Sequence, residues 1–272
     1  MTDPQLVEFL QWALPRLRLR WPGFRKVRRQ VRKRINGRMR ELGLAEISDY
    51  RSYLELNAEE WPVLDGLCRI AISRFYRDRG VFDWLGDRLL PELARMATAR
   101  GESRLCVWCA GCASGEETYT LSILWKICIQ SDFPAMQLGQ VATDVDPHIL
   151  ERARQAIYSG GSLKNAPRDW LDTAFFRQDD QYQLRPEFRV GIEFRQQDIR
   201  REMPDGPFHL VMCRHLAFTY FAEDLQREIL SRIVDRIVPG GCLLTGKQEP
   251  LPKDVEGIVS CGPNLGAFRV EE

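Results

Sequence analysis

The segment that most constrains this chain runs from Leu105 to Glu117. A short apolar stretch, Leu105-Cys106-Val107-Trp108, passes through a turn of small residues, Cys109-Ala110-Gly111-Cys112-Ala113-Ser114-Gly115, directly into a helical pattern. A buried-type strand followed at once by a helix starts a βαβ unit. The pattern then repeats: Leu138–Asp144 reads as a strand, Pro147–Tyr158 as a helix, Phe208–Cys213 as a strand, Ala222–Ile237 as a helix and Gly241–Gly246 as a strand. Such alternation predicts an α/β architecture, a mostly parallel sheet with helices on both faces. Tyr182–Leu184 and Arg189–Phe194 alternate polar and apolar residues and read as a hairpin.

Upstream of Gly101 the chain reads as helical. Asp3-Pro4 predicts a helix start, with Leu6, Phe9, Leu10 and Ala13 at helical spacing. Pro22-Gly23 breaks the chain. Phe24, Val27, Val31, Ile35, Met39 and Leu42 then form one apolar stripe among Arg and Lys. Further helices are expected from Ser48 to Leu54, from about Glu59 to Ile72, and over Val81–Ala99. Residues 16–40 hold 12 Lys/Arg and no acid, whereas the rest of the chain carries 27 Lys/Arg against 38 Asp/Glu. A basic arm on an acidic body calls for an acidic partner: a protein helix, nucleic acid or an anionic surface. The expected domains are 1–70, basic and helical, and 71–272.

Composition excludes several classes. The chain has 272 residues, 44% of them hydrophobic and 28% charged, which argues against disorder. The longest apolar stretch, near Leu121–Ile129, is interrupted by Lys126 and falls short of the roughly 20 residues of a membrane span. The opening MTDPQLVEFL lacks the basic-then-apolar order of a secretory signal. Eight irregularly spaced cysteines are therefore expected to be reduced, and the protein cytoplasmic. Cys106, Cys109 and Cys112 have a C-x2-C-x2-C spacing, but strand residues 106 and 109 point to opposite faces. His148, His209 and His215 are scattered, so no metal site is expected.

The small-residue turn tolerates positive φ and lets backbone approach a ligand, and the helix after it offers free N–H groups. A dinucleotide or the nucleoside of S-adenosylmethionine would suit it. Glu116 and Glu117 open the helix, and an acid meets an ammonium group better than a pyrophosphate. At the end of the next strand, Asp144 can accept both ribose hydroxyls. Asp146-Pro147 reads as a helix cap, which leaves Asp144 for the ligand.

Several stretches together resemble the CheR-type chemotaxis-receptor (protein-glutamate) methyltransferase family: ISRFYRD (72–78), VWCAGCASGEETYTL (107–121), ATDVDPHILERARQAIY (142–158), IEFRQQDI (192–199), FHLVMCRHLAFTYF (208–221) and IVPGGCLLTGKQE (237–249). The basic helix and SDYRSYL (48–54) resemble the family's N-terminal helical domain. The resemblance implies a class I S-adenosylmethionine-dependent methyltransferase fold, Rossmann-like. To it are added a small N-terminal all-α domain and a short antiparallel β insertion at about 175–195. It also implies site roles. Ser73 and Arg77 line the site from the linker, and Gly111 and Gly115 belong to the cofactor loop. Glu117 contacts the methionine end, Asp144 the ribose, and Asp198 and Ile199 flank the adenine. Arg214 and His215 complete the pocket, while Arg77 and Tyr220 lie nearest the transferred methyl.

Three departures stand out. Ala71 and His215 replace residues that are usually Asn in the family, and the stretch from Arg214 to Tyr220 is longer by one residue. The implied activity is methyl-ester formation on glutamates of a receptor or related signalling protein, docked on the basic helix (24–42). Two other readings stay open. One is a nucleic-acid methyltransferase using that helix as its arm, against which stands the absence of an Asp/Asn-Pro-Pro-Tyr run or a Pro-Cys pair. The other is a catalytically silent cofactor-binding module.

Overall fold

The computed structural model describes residues 1–252, 255–262 and 264–271. It divides into two compact units: Met1–Ala71 with Ala217–Arg227, and Ile72–Leu216 with Glu228–Glu272. Among the described residues, no helix is long and apolar enough to cross a membrane.

The helical unit contains α1 (Asp3–Ala13), α2 (Arg28–Glu41), α3 (Ile47–Leu56) and α4 (Glu60–Cys68). Thr2, not Asp3, caps α1, because its side chain and that of Gln5 satisfy each other's backbone N–H groups. Leu6, Phe9, Leu10 and Ala13 are buried as their spacing predicts, and so are Val31, Ile35 and Met39 of α2. Helix α4 stops at Cys68, short of the expected Ile72. Beyond it Arg69 is extended, and Arg34 Nη1 takes the carbonyls of Arg69 and Leu67. The returning turn Ala217–Tyr220 is tied to residues 18–24. Leu19 bridges Phe221, and Arg20 binds the carbonyls of Phe218 and Thr219. Arg18 pairs with Asp224.

The second unit carries a seven-stranded sheet. Its strands are β1 (Arg104–Ala110), β2 (Gln137–Asp144), β6 (Ile192–Gln196), β7 (Phe208–Met212), β8 (Ile237–Leu244), β9 (Ile258–Gly262) and β10 (Ala267–Val270). The order is β6-β2-β1-β7-β8-β10-β9; β10 pairs antiparallel with both β8 and β9, and the other pairings are parallel. Helices α5 (Leu90–Ala99), α6 (Glu116–Leu124) and α7 (Pro147–Gln155) connect and flank the strands, and α8 spans Glu223–Val234. This is the Rossmann-like, mostly parallel sheet that the alternation of strands and helices predicts.

A second, three-stranded antiparallel sheet joins β3 (Ile157–Ser159), β5 (Gln181–Leu184) and β4 (Phe175–Gln178), in that order. Two expectations are corrected here. Helix α7 ends at Gln155 because Ala156 turns left-handed (φ +54°), which frees Ile157–Ser159 to pair with β5. The expected hairpin of 182–184 with 189–194 does not form. A single turn at Pro186–Phe188 and Gly191 (φ +80°) redirect the chain, the Gly191 carbonyl accepts from Gln140, and β6 joins β2 in the main sheet. Strand β8 also begins earlier than Gly241. Pro239-Gly240 lies within this strand, beside an irregularity in its pairing with β7.

Inside the helical unit, Glu60 is buried, 2% exposed. Arg38 grips its carboxylate through Nε (2.9 Å) and Nη2 (2.7 Å), and Tyr50 donates its hydroxyl at 2.8 Å. The Arg38 hydrogen bonds hold the Glu60 carboxyl below its ordinary value, against burial, and Tyr50 adds to the lowering. Arg38→Ala leaves that carboxylate without its cation and should destabilise the unit by about 2–3 kcal/mol. Urea denaturation followed by circular dichroism reads the loss. A depressed carboxyl stabilises above its unfolded pKa and loses that contribution as pH falls through its folded pKa. The difference between wild type and Arg38→Ala should therefore be full at neutral pH and shrink below about pH 4.5.

Candidate active site

The polar residues gather at the carboxyl edge of β1 and β2. Beyond Ala110, three residues take positive φ: Gly111 (+71°), Ala113 (+48°) and Gly115 (+86°). Space as well as conformation demands glycine at 111, where a Cβ would lie 2.6 Å from Leu216 Cδ2. The N–H groups of Gly111 and Cys112 donate to the Thr143 carbonyl at 2.8 and 2.9 Å, and that of Ala113 donates to Asp144 Oδ2 at 2.9 Å. The other Asp144 oxygen accepts from the Asp146 N–H at 3.1 Å. Burial raises the Asp144 carboxyl above its ordinary value, against these backbone donors. A carboxylate has about four lone-pair sites, so capacity for a ribose diol remains. Asp146 caps α7, accepting from His148 (2.9 Å) and Ile149 (3.4 Å), as its place before Pro147 predicts.

The first turn of α6 divides its two acids. Glu116 is buried, and the Ser114 hydroxyl donates to both its oxygens at 3.0 Å. Burial outweighs these hydrogen bonds and raises its carboxyl. Glu117 meets Arg214 instead, Oε1 to Nη1 at 2.5 Å. Arg214, just past β7, has a fully buried side chain whose Nη2 binds Asp78 Oδ2 at 2.6 Å. Its guanidinium sits 5.4 Å from the Phe82 ring centroid, and its Nε is buried with no partner. His215 Nε2 lies 3.3 Å from the same Asp78 oxygen. The His215 hydrogen bond, then the Arg214 charge, lower the Asp78 carboxyl to about 2 despite burial. His215 itself has φ +55°; its N–H and that of Gly246 both donate to Glu249 Oε2, at 2.8 and 2.5 Å.

The linker is held against α6. Thr120 Oγ1 accepts from the Tyr76 N–H (3.1 Å) and donates to the Glu116 carbonyl (2.6 Å). The Phe75 ring stands edge-on to Tyr158 and Phe175, at 4.8 and 5.3 Å. Arg77 Nη1 donates to the Ile72 carbonyl at 2.8 Å, while Asp78 is the linker residue that joins Arg214. At the end of β6, the Gln197 N–H donates to the Asp144 carbonyl at 3.0 Å. Asp198 is gripped by Arg200, Oδ1 to Nε at 2.9 Å and Oδ2 to Nη2 at 2.8 Å. Ile199 is buried, and its carbonyl accepts from Arg232 at 3.4 Å. Tyr220 belongs to the helical unit, its ring centroid 5.1 Å from that of Phe24.

The structure thus brings Glu117, Arg214 and His215 into one cluster, and Gly111, Asp144, Asp198 and Ile199 to one sheet edge. Sequence reasoning missed Asp78 and Glu249. Both lie inside the quoted stretches, but a lone acid beside a basic residue carries no signal that it will brace a distant strand end. Among the described residues, no three His, Cys, Asp or Glu side chains come together in a way that could hold a metal ion. Cys109 is buried, its thiol pushed up to about 12 by burial.

The family described as "CheR methyltransferase, SAM binding domain" matches residues 71–262. A chemotaxis protein methyltransferase of Salmonella typhimurium is 31% identical over 234 residues, covering 82% of this chain and 76% of that protein. One from Listeria innocua is 28% identical over 222 residues, 82% of this chain and 81% of that protein. An uncharacterized 104.1 kDa protein of Rhodobacter capsulatus is 33% identical over 224 residues, 81% of this chain, but the chain spans only 23% of its length. The glycine turn, Asp144 and the Arg214 cluster all lie within the matched region, and this chain belongs to the CheR methyltransferase family.

Proposed function

We propose that this chain is an S-adenosylmethionine-dependent O-methyltransferase that forms methyl esters on glutamate side chains of a chemoreceptor or related signalling protein. The observation that carries this reading is the positive-φ turn at 111–115, hydrogen-bonded onto Asp144 at the carboxyl edge of β1 and β2. The donor set fits the cofactor. The Glu117 carboxylate suits the ammonium of its methionine end, and the unpartnered Arg214 Nε suits its carboxylate. Asp144 has lone pairs for the ribose. Gly111 and Gly115 permit close approach of backbone, and Asp198–Ile199 flank the adenine. Ser73 lines the site from the linker on the family resemblance, and His215, through Asp78, braces the methionine end.

When bound, the cofactor supplies a methyl group on a sulfonium. A glutamate carboxylate is ionised near neutral pH, with a reference pKa of about 4.3, so the chain needs no general base. Its work is alignment, a contribution of roughly 7–11 kcal/mol in well-oriented reactions. Both reacting charges disappear during transfer, so exclusion of water favours the step. Arg77 is assigned to the substrate carboxylate, exchanging its Ile72 acceptor for the stronger, charge-assisted one. Tyr220 is assigned to orient the methyl, on the family resemblance alone.

The partner surface is assigned to α2. Arg29, Arg32, Lys33 and Arg40 line an open hollow of about 530 Å³ together with Met39 and Leu44. Cations interspersed with apolar side chains complement an amphipathic, glutamate-rich helix.

The primary test is incubation with methyl-labelled cofactor and receptor-bearing membranes, followed by mild base. Glutamyl esters release volatile labelled methanol; a base-stable product would exclude them. Arg77→Ala should lower methyl transfer roughly 100-fold while leaving cofactor affinity within about threefold. A large loss of affinity in calorimetry would place Arg77 in the cofactor site instead. Joint replacement Arg32→Glu and Lys33→Glu should raise KM for the receptor about tenfold, and added salt should raise the wild-type KM. An unchanged KM would put the docking face elsewhere.

A further inference from the structure

The buried Arg214 guanidinium is held by Glu117 and Asp78, but its aim also depends on the backbone that carries it. The next residue, His215, is left-handed (φ +55°), a conformation that a residue with a Cβ keeps only where its surroundings impose it. Glu249 imposes it here. This acid is 6% exposed, and its Oε2 accepts from the His215 N–H at 2.8 Å and from the Gly246 N–H at 2.5 Å. One oxygen thus ties the chain leaving β7 to the chain leaving β8. The acid is itself anchored: its N–H donates to the Gly246 carbonyl at 2.9 Å, and its carbonyl accepts from Thr245 Oγ1 at 3.4 Å. The clamp is also fitted to a glycine. A Cβ at Gly246 would lie 2.6 Å from Glu249 Oε2 and 2.8 Å from His215 Cε1.

Hydrogen bonds from N–H groups to a carboxylate are charge-assisted, and in a covered place they are stronger than neutral ones. Without the acid, two strand-end N–H groups lose their acceptor, and the turn at His215 is free to relax toward right-handed backbone. That relaxation rotates the chain directly after Arg214. The Arg214 Nε, buried and without a partner, is the group assigned above to the cofactor's carboxylate. A hydrogen bond of this kind depends steeply on direction, so a small rotation weakens it. Glu249 acts in this way through Arg214 and not on the cofactor itself. Its reach is confined to the methionine end, because β7 and β8 lie on one side of β1, whereas Asp144 ends β2 on the other.

We infer that Glu249 is a positioning residue: it fixes the left-handed turn at His215 and thereby aims Arg214 at the carboxylate of the cofactor's methionine end. This rests on the cofactor reading above. It is tested by a thermodynamic cycle on the full chain, with calorimetric titration of S-adenosylhomocysteine and of 5′-methylthioadenosine, which keeps the nucleoside and the sulfur but lacks the amino-acid end. In wild type, S-adenosylhomocysteine should bind about 100-fold tighter, since a site built around a charged group rejects the analogue that lacks it. Glu249→Ala should weaken S-adenosylhomocysteine about tenfold and leave methylthioadenosine within about twofold. Gly246→Ala keeps the acid but displaces its oxygen, and should reproduce that selective loss. Glu249→Gln keeps an oxygen for both N–H groups and should recover most of the affinity lost in Glu249→Ala. A merely structural role would weaken both compounds in parallel; that result, or unchanged binding of both in Glu249→Ala, would overturn the inference. Equal binding of the two compounds by wild type would overturn the assignment of Arg214, and binding of neither the cofactor reading, each taking this inference with it.

Discussion

The site is organised around one buried cation. The Arg214 side chain has no exposed surface, and it contacts a carboxylate on each side, Glu117 and Asp78. An isolated guanidinium could not remain there, because the desolvation of an unpaired ion outweighs the stability of most domains. The pairing therefore dictates geometry. It fixes the end of β7, the first turn of α6 and the last residue of the linker relative to one another. Asp78 also accepts a left-handed backbone (φ +61°) to reach its place. Strain of this kind survives only where surrounding contacts over-determine it, and here His215 supplies a further contact to the same oxygen.

The same arrangement sets the electrostatics of the cofactor edge. Arg214 pairs with Glu117 and Asp78, Arg77 also acts on Asp78, and Glu116 and Asp144 complete the edge, so its acids outnumber these cations. The individual acids differ, however. Asp78 is held low by His215 and Arg214, whereas burial pushes Asp144 and Glu116 upward. The two raised groups are those whose partners are neutral backbone N–H and hydroxyl donors, and the depressed one has cationic or hydrogen-bonding ring partners. Neutral donors soften the desolvation of a carboxylate without cancelling it. An acid in that condition gains from any ligand that brings further O–H or N–H donors, which is what a ribose diol offers to Asp144.

Much of this was legible in the sequence. The strand–turn–helix at 105–117 and the cap at Asp146 follow from local rules: small residues where φ turns positive, and an oxygen where a helix leaves N–H groups unsatisfied. The helical stripe of α2 follows from periodicity. The failures share one cause, dependence on a partner distant in the chain. Arg189–Phe194 has the alternation of a half-buried strand, and nothing local says that it pairs with β2 and not with 182–184. Asp78 and Glu249 have no local signature, because each acts on backbone or side chains more than thirty positions away.

An acidic edge also has consequences for turnover. On the proposed chemistry, the cofactor arrives with a cationic sulfur and departs with a neutral one. The attraction between a unit charge and a carboxylate at about 4 Å is roughly 4 kcal/mol at the effective dielectric of a protein surface, and smaller at the longer distances across a site. That part of the attraction acts on the sulfonium and vanishes with transfer. The contacts to ribose and adenine act equally on both forms. On the proposed assignments, an edge that concentrates carboxylates near the methionine end favours exchange of product for fresh cofactor, whereas contacts to the nucleoside set the affinity common to both. Removing a contact to the nucleoside weakens both forms alike, while reducing the negative charge near the sulfur weakens the cofactor more than its product.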